Sequence, residues 1–129
     1  RLRQLTQRAV SQLQIKVHSL EQQVKYLSGG NQQKVLFSKW LLRNPKVLIA
    51  DEPTRGVDVG TKAEIHDLIY KIARQGAAVI MISSELPEIM DVSDQIAVMR
   101  KGRLIGVFQP TEATQEQIVA SAVGALSSK

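Results

Sequence analysis

Two short stretches carry residue types that handle phosphates. Asp51-Glu52-Pro53 directly follows the apolar run Val47-Leu48-Ile49-Ala50. Paired carboxylates at the carboxyl end of a buried strand can hold hydrated magnesium and polarise a water for phosphoryl transfer. In that arrangement Asp51, nearer the strand, orients the metal, Glu52 points toward the attacking water, and Asp58 one turn later reaches the same region. A solvated acidic loop is the plainer account, although adjacent acids seldom follow a buried run without using the crevice beyond it. The second stretch is Ser28-Gly29-Gly30, directly ahead of a segment with helical periodicity. Two glycines beside a hydroxyl let backbone amides approach an anion, and the helix amino terminus adds a favourable dipole, which together make a phosphate nest. On its own the tripeptide is more simply a Gly-Gly turn with a serine cap.

The elements that must position these residues follow from apolar spacing. Residues 1–27 are polar and Gln-rich, with Leu2, Leu5, Ala9, Leu13 and Val17 on one face, and read as a helix followed by a connecting stretch. Ser28 caps a helix to about Arg43 whose apolar positions are Leu36, Phe37, Trp40 and Leu41, with Trp40 read as core packing. Asn44-Pro45 ends it. The run 47–50 is expected to be a strand buried on both faces. Thr61-x-x-Glu64 has a capping-box pattern and opens a helix with Ile65, Leu68, Ile69, Ile72 and Ala73 inward, His66 partly exposed, and an end near Gly76. A second buried strand at 78–82 completes strand, helix, strand, so the two strands are expected to be parallel and near neighbours. Pro87 suits the opening turn of a short helix over about 85–90. Residues 96–99 and 104–108 flank a hairpin turn, and Thr114-x-x-Gln117 opens a last helix through about Val123.

Composition narrows the function classes. The 129 residues suit one compact domain. Seventeen Lys and Arg against twelve Asp and Glu give a net +5, without a block of like charges. The rings of Tyr26, Phe37, Trp40, Tyr70 and Phe108 are scattered, so nucleic acid is not an expected partner. The absence of cysteine excludes a disulfide scaffold and a thiolate metal site and fits a reducing compartment. His18 and His66 are too few and too far apart for a zinc cluster. No uncharged apolar run approaches the roughly 20 residues that span a bilayer. The chain opens Arg1-Leu2-Arg3-Gln4, with neither a start methionine nor a signal peptide, and is expected to be a piece of a longer polypeptide.

One motif is absent. Gly-x-x-x-x-Gly-Lys followed by Ser or Thr, the loop whose amides and lysine cradle the β- and γ-phosphates, does not occur. Gly56 to Gly60 followed by Thr61-Lys62 has three residues between its glycines and follows a turn. Tight ATP binding by this chain alone is therefore not expected.

Leu27-Ser28-Gly29-Gly30-Asn31-Gln32-Gln33-Lys34 resembles the signature motif of ATP-binding cassette (ABC) ATPases, with Asn31 where the usual form has Gln. Val47-Leu48-Ile49-Ala50-Asp51-Glu52-Pro53-Thr54 resembles their Walker B strand with its catalytic glutamate, and Gly56-Val57-Asp58 their D-loop. Order and spacing match over about residues 26–108. The wording Asp51-Glu52-Pro53-Thr54-Arg55-Gly56-Val57-Asp58-Val59-Gly60, followed by Ile82-Ser83-Ser84-Glu85-Leu86-Pro87-Glu88, is similar to the second cassette of the double-cassette ATPases of bacterial monosaccharide importers.

The resemblance implies an α/β fold: part of a P-loop NTPase ABC cassette, a mostly parallel sheet flanked by helices, with a helical preface and a C-terminal hairpin. Residues 1–30 would end the helical signature subdomain, and 31–129 would form the C-terminal part of the core, without Walker A. It implies ATP and Mg2+ as cofactors, with Ser28, Gly29 and Gly30 at the γ-phosphate of an ATP held mainly by the other cassette. Asn31 and Gln32 belong to the same nucleotide-binding stretch, where side chains 32–34 either contact ATP or are solvated. Asp58 would cross the same interface, Asp51 would meet the magnesium through water, and Glu52 would be the catalytic carboxylate. Ser84 stands where the family at large places a switch histidine. A hydroxyl cannot do the work of an imidazole on the γ-phosphate, so the Glu52 site would be weakened while the signature serves the competent site.

The implied partners are the upstream cassette of the same polypeptide, transmembrane permease subunits and, indirectly, a periplasmic sugar-binding protein. The implied location is the cytoplasmic face of the bacterial inner membrane. ATPase activity would belong to the full protein, not to this piece alone. A soluble ABC-type ATPase of DNA repair or translation and a non-hydrolytic interaction domain stay open as alternatives.

Overall fold

The computed structural model describes residues 1–125, so the last four positions of the segment 31–129 lie outside the described residues. The chain divides into two compact units, Arg1–Ile82 and a second beginning at Ser83. The first contains α1 (Leu2–Gln12), a single 3-10 turn (Val24–Tyr26), α2 (Gly29–Leu41), β1 (Val47–Asp51), α3 (Val59–Arg74) and β2 (Ala78–Ile82). The second contains α4 (Leu86–Val92), β3 (Ile96–Arg100), β4 (Arg103–Phe108) and α5 (Gln115–Val123).

In the first unit β1 and β2 pair in parallel, from Val47 opposite Ala78 to Asp51 opposite Ile82, as a strand, helix, strand unit must when its crossover helix returns the chain to the same edge. The core is the stripe Ile65, Leu68, Ile69 and Ile72 of α3, joined by Leu48 and Ala50 of β1, Phe37 of α2, and Leu13, Ile15 and Leu27. Ile65, with 0% of its surface exposed, is the centre of that cluster. Gly76, at φ 96°, stops α3 by adopting the left-handed conformation that lets the amides of Gly76 and Ala77 fold back onto the carbonyls of Ala73 and Ile72. The end of α1 uses the same device without glycine: Gln14 sits at φ 49°, and Ile15 N–H returns to Val10 O at 2.9 Å.

Three expectations need correction. Neither expected buried strand is one: in 47–50 Leu48 and Ala50 are inside but Val47 and Ile49 are not, with Ile49 keeping 64% of its surface exposed, and in 78–82 no residue is fully buried. The cause is that α3 covers one side of a two-stranded sheet, leaving Ile80 and Ile82 of β2 open on the other. Trp40 is not core either, at 49% exposed, because α2 turns Gly30, Lys34, Phe37 and Ser38 inward and leaves Leu36 and Trp40 on its flank. Nor does Thr61 open α3. The helix begins earlier, at Val59, with Asp58 as its cap and Thr61 as the residue whose amide Asp58 receives.

In the second unit the hairpin β3–β4 turns through Lys101 and Gly102, both at positive φ, the two-residue geometry that matches strand twist. α5 packs on both strands, capped by the reciprocal Thr114–Gln117 box. Its small core is Ile96, Val98 and Ile118. Among the described residues no helix is long and apolar enough to cross a membrane.

Replacing Ile65 with Ala should cost about 2–5 kcal/mol of stability, whereas Trp40→Ala should cost about 1 kcal/mol or less, as read from denaturant unfolding midpoints.

Candidate functional site

The turn at residues 27–31 forms because Ser28 takes an extended conformation and its Oγ accepts the Asn31 N–H, capping α2. The amides of Gly29 and Gly30 then begin the helix and find no partner among the described residues, as the first donors of any helix lack one within it. The two glycines differ in surroundings. A Cβ at Gly29 would meet nothing within 4 Å, so this face of the turn is open to a ligand. A Cβ at Gly30 would lie 2.3 Å from Thr61 Cγ2 and 2.8 Å from Thr61 Oγ1. Gly30 is therefore required by the approach of α2 to α3, whatever it does for an anion.

Asp58 holds the other side of that approach. Its Oδ1 accepts the Thr61 N–H at 2.9 Å and its Oδ2 the Thr61 hydroxyl at 2.8 Å. These bonds, the backbone one first and the hydroxyl second, lower the Asp58 pKa below its ordinary value, although the group is fully exposed. The residue expected to cross to a nucleotide thus has a local duty as a helix cap. Asn31 and Gln32, expected in the nucleotide stretch, also turn back on their own chain: Asn31 Oδ1 accepts Lys16 N–H at 3.0 Å, and Gln32 Nε2 donates to Leu27 O at 2.9 Å.

Lys34 is the residue that sequence reasoning misses. It is neither solvated nor turned toward a ligand. Only 4% of it is exposed, and its Nζ donates to Gln14 O at 3.3 Å and pairs with Glu64 of α3. A buried ammonium needs such partners. The signal is available in the helical spacing, since Gly30, Lys34, Phe37 and Ser38 share one inward face.

Asp51 ends β1 and is exposed; Glu52 is half-buried and sits at φ 47°, a left-handed conformation uncommon for a glutamate. Glu52 N–H extends the sheet by donating to Ile82 O at 2.8 Å, so both acids stand at the carboxyl end of parallel strands. Neither carboxylate has a hydrogen bond or ion pair among the described residues. Nor do the described residues gather three or more potential ligands for a metal. This donor set fits magnesium, which keeps most of its waters and needs one or two carboxylates beside substrate phosphates. The acids do not line the open groove of about 490 Å³ beside the Ser28 turn, which is bounded by Gly29, Gln32, Lys39, Arg55, Gly56 and Val57 among others. The structure thus brings the Ser28 turn together with residues 55–61 and leaves Asp51 and Glu52 on the strand ends. Ser84 lies in the second unit, exposed in the bend before α4, next to Ser83, whose hydroxyl donates to the buried Glu88 at 2.6 Å.

Comparison with known proteins agrees with these motifs. The ABC transporter family profile matches residues 2–55. The chain is 54% identical over 126 residues to a ribose/galactose/methyl galactoside import ATP-binding protein of Geobacillus kaustophilus, covering 98% of this chain and 25% of that protein. It is 57% identical over 112 residues to a xylose import ATP-binding protein of the same organism, covering 87% of this chain and 22% of that one. The chain thus spans about a quarter of the length of these relatives. Among solved structures, an ATP-binding cassette of an ABC transporter in its ADP conformation superposes with TM-score 0.72 at 23% identity, over 93% of this chain and 45% of that one. A metal-chelate type ABC transporter in an inward-facing conformation gives TM-score 0.79 at 17% identity, over 94% of this chain and 48% of that one. At such identities these two establish the fold.

The two glycines should separate in a stability assay. Gly30→Ala should lose about 1–3 kcal/mol, because Thr61 cannot swing aside without breaking its bond to Asp58, while Gly29→Ala should fold at least as stably as the parent. Asp58 sets a pH dependence with a definite sign. Its folded pKa is depressed, so its contribution is complete above the pKa of the unfolded chain and is lost as pH falls through the lower folded value. Asp58→Asn should remove that acid-side loss from unfolding curves measured over the same pH range.

Proposed function

We propose that the chain, whose residues 2–55 match the ABC transporter family profile, is part of the second cassette of an ATPase subunit energising bacterial monosaccharide import. Its role there is to complete, from across an interface, an ATP site whose phosphates are gripped by an upstream cassette of the same polypeptide. The observation that carries this reading is the open first turn of α2. Gly29 has clear space and Ser28 an unused hydroxyl proton. Such a turn can add donors to a phosphate held elsewhere but cannot hold one alone.

In this assignment residues 1–30 end the helical subdomain and those from 31 onward belong to the ATPase core. Ser28 O–H and the Gly29 and Gly30 amides offset the charge that develops on the γ-phosphate during in-line attack by water. Asp51 would hold magnesium through water, and Glu52 would accept a hydrogen bond from the attacking water of this cassette's own site. Magnesium, when bound, supplies neutralisation of phosphate charge. Ser84 offers that second site no imidazole, so the two halves of the chain serve unequal sites. Closure of the two cassettes around ATP drives permease subunits at the cytoplasmic face of the inner membrane, and hydrolysis resets them. The similarity to ribose/galactose and xylose import ATP-binding proteins supports a cargo among the pentoses and hexoses, delivered by a periplasmic binding protein.

In the full polypeptide assembled with its permease subunits, Ser28→Ala should lower MgATP turnover by about tenfold or more, and Glu52→Gln by less than about twofold. Equal losses would contradict the unequal roles.

A further inference from the structure

A serine hydroxyl has one proton to give and two lone pairs to fill. In the turn before α2 both lone pairs of Ser28 Oγ are engaged by a single residue: Asn31 N–H reaches it at 3.4 Å and Asn31 Nδ2 at 2.9 Å. The Asn31 amide cannot present its oxygen to Ser28 instead. That oxygen, Oδ1, receives the Lys16 backbone N–H at 3.0 Å, and a backbone N–H can be met only by an acceptor. The connecting stretch after α1 therefore dictates which end of the amide faces Ser28. With its acceptor positions filled, Ser28 can only donate, and its proton reaches no acceptor among the described residues. The direction of this small network, Lys16 N–H to Asn31, Asn31 to Ser28, Ser28 outward, suits an anion at the open Gly29 face and would repel a donor there.

We propose that Asn31 is a positioning residue that locks the Ser28 hydroxyl as a hydrogen-bond donor to the terminal phosphate, rather than a residue that touches nucleotide. The inference rests on the reading of the Ser28 turn given above. Asparagine has the right length for the task. With the α2 backbone fixed by the cap and Lys16 fixed by the preceding chain, one more methylene would carry the amide past one of its two partners, so Asn31→Gln loosens the lock.

The test is a double-mutant cycle on MgATP turnover in the full polypeptide assembled with its permease subunits, with the thermal unfolding of each variant measured alongside. Ser28→Ala should cost about tenfold and Asn31→Ala about three- to tenfold, while the double variant should be no worse than Ser28→Ala, because a lock has nothing to act on once the hydroxyl is gone. A purely structural role for Asn31 would persist in the Ser28→Ala background and would appear in the unfolding midpoint. Losses that multiply, or an Asn31→Ala variant as active as the parent, overturn the inference and leave the Ser28 turn standing. A Ser28→Ala variant without loss overturns the reading of the turn itself, and the inference with it.

Discussion

The contact on which the first unit depends is the approach of the first turn of α2 to the first turn of α3. Gly30 lies against Thr61 where no side chain fits, and Thr61 is held in place through both carboxylate oxygens of Asp58. One turn further along, Lys34 reaches from α2 to Glu64 of α3 and to the carbonyl of Gln14. The Ser28 turn and the Asp58 turn are therefore packed together as one piece. A displacement of α3 cannot leave Ser28 where it was. For the proposed function this packing matters, since donors aimed at developing charge contribute only when little reorganisation is needed at the moment of reaction.

The same arrangement separates two kinds of glycine and two kinds of polar residue within one motif. Gly29 has room for a ligand, while Gly30 has room for nothing but its neighbour. Ser28 is left with a proton to offer, whereas Asn31, Gln32 and Lys34 satisfy the chain itself. Of the charged groups near the strand ends, Asp58 is committed to its helix, and Asp51 and Glu52 keep their carboxylates uncommitted among the described residues. Glu52 also stands in a left-handed conformation that costs energy for any residue with a Cβ, as Gln14, Asn44 and Lys101 do.

Much of this is legible in the sequence, and the failures have particular causes. Ser28 as a cap, the parallel pair 47–51 and 78–82, the glycine that stops α3, the hairpin and the Thr114–Gln117 box are each set by local chemistry, so they follow from residue type and spacing. Spacing alone misplaces the helix start at Asp58 because Thr61 and Glu64 fit a box of their own. The Asp58 carboxylate decides otherwise by receiving the Thr61 amide, while Glu64 pairs with Lys34. Burial of Val47 and Ile49 cannot be read from an apolar run, because the run states what a strand tolerates on its two faces and not how many faces neighbouring elements cover. Lys34 escapes for the related reason that a lysine reads as solvent-facing until a carboxylate from another element is seen to meet it.

The central claim is that the Ser28 turn contributes to a phosphate site gripped elsewhere, and a titration of this chain alone with MgATP, followed residue by residue through backbone amide shifts, tests it most directly. Small shifts confined to Ser28–Asn31, without saturation below millimolar nucleotide, are the predicted result. Saturable micromolar binding with shifts centred on Asp51 and Glu52 would contradict it, because the chain would then hold ATP without any partner cassette.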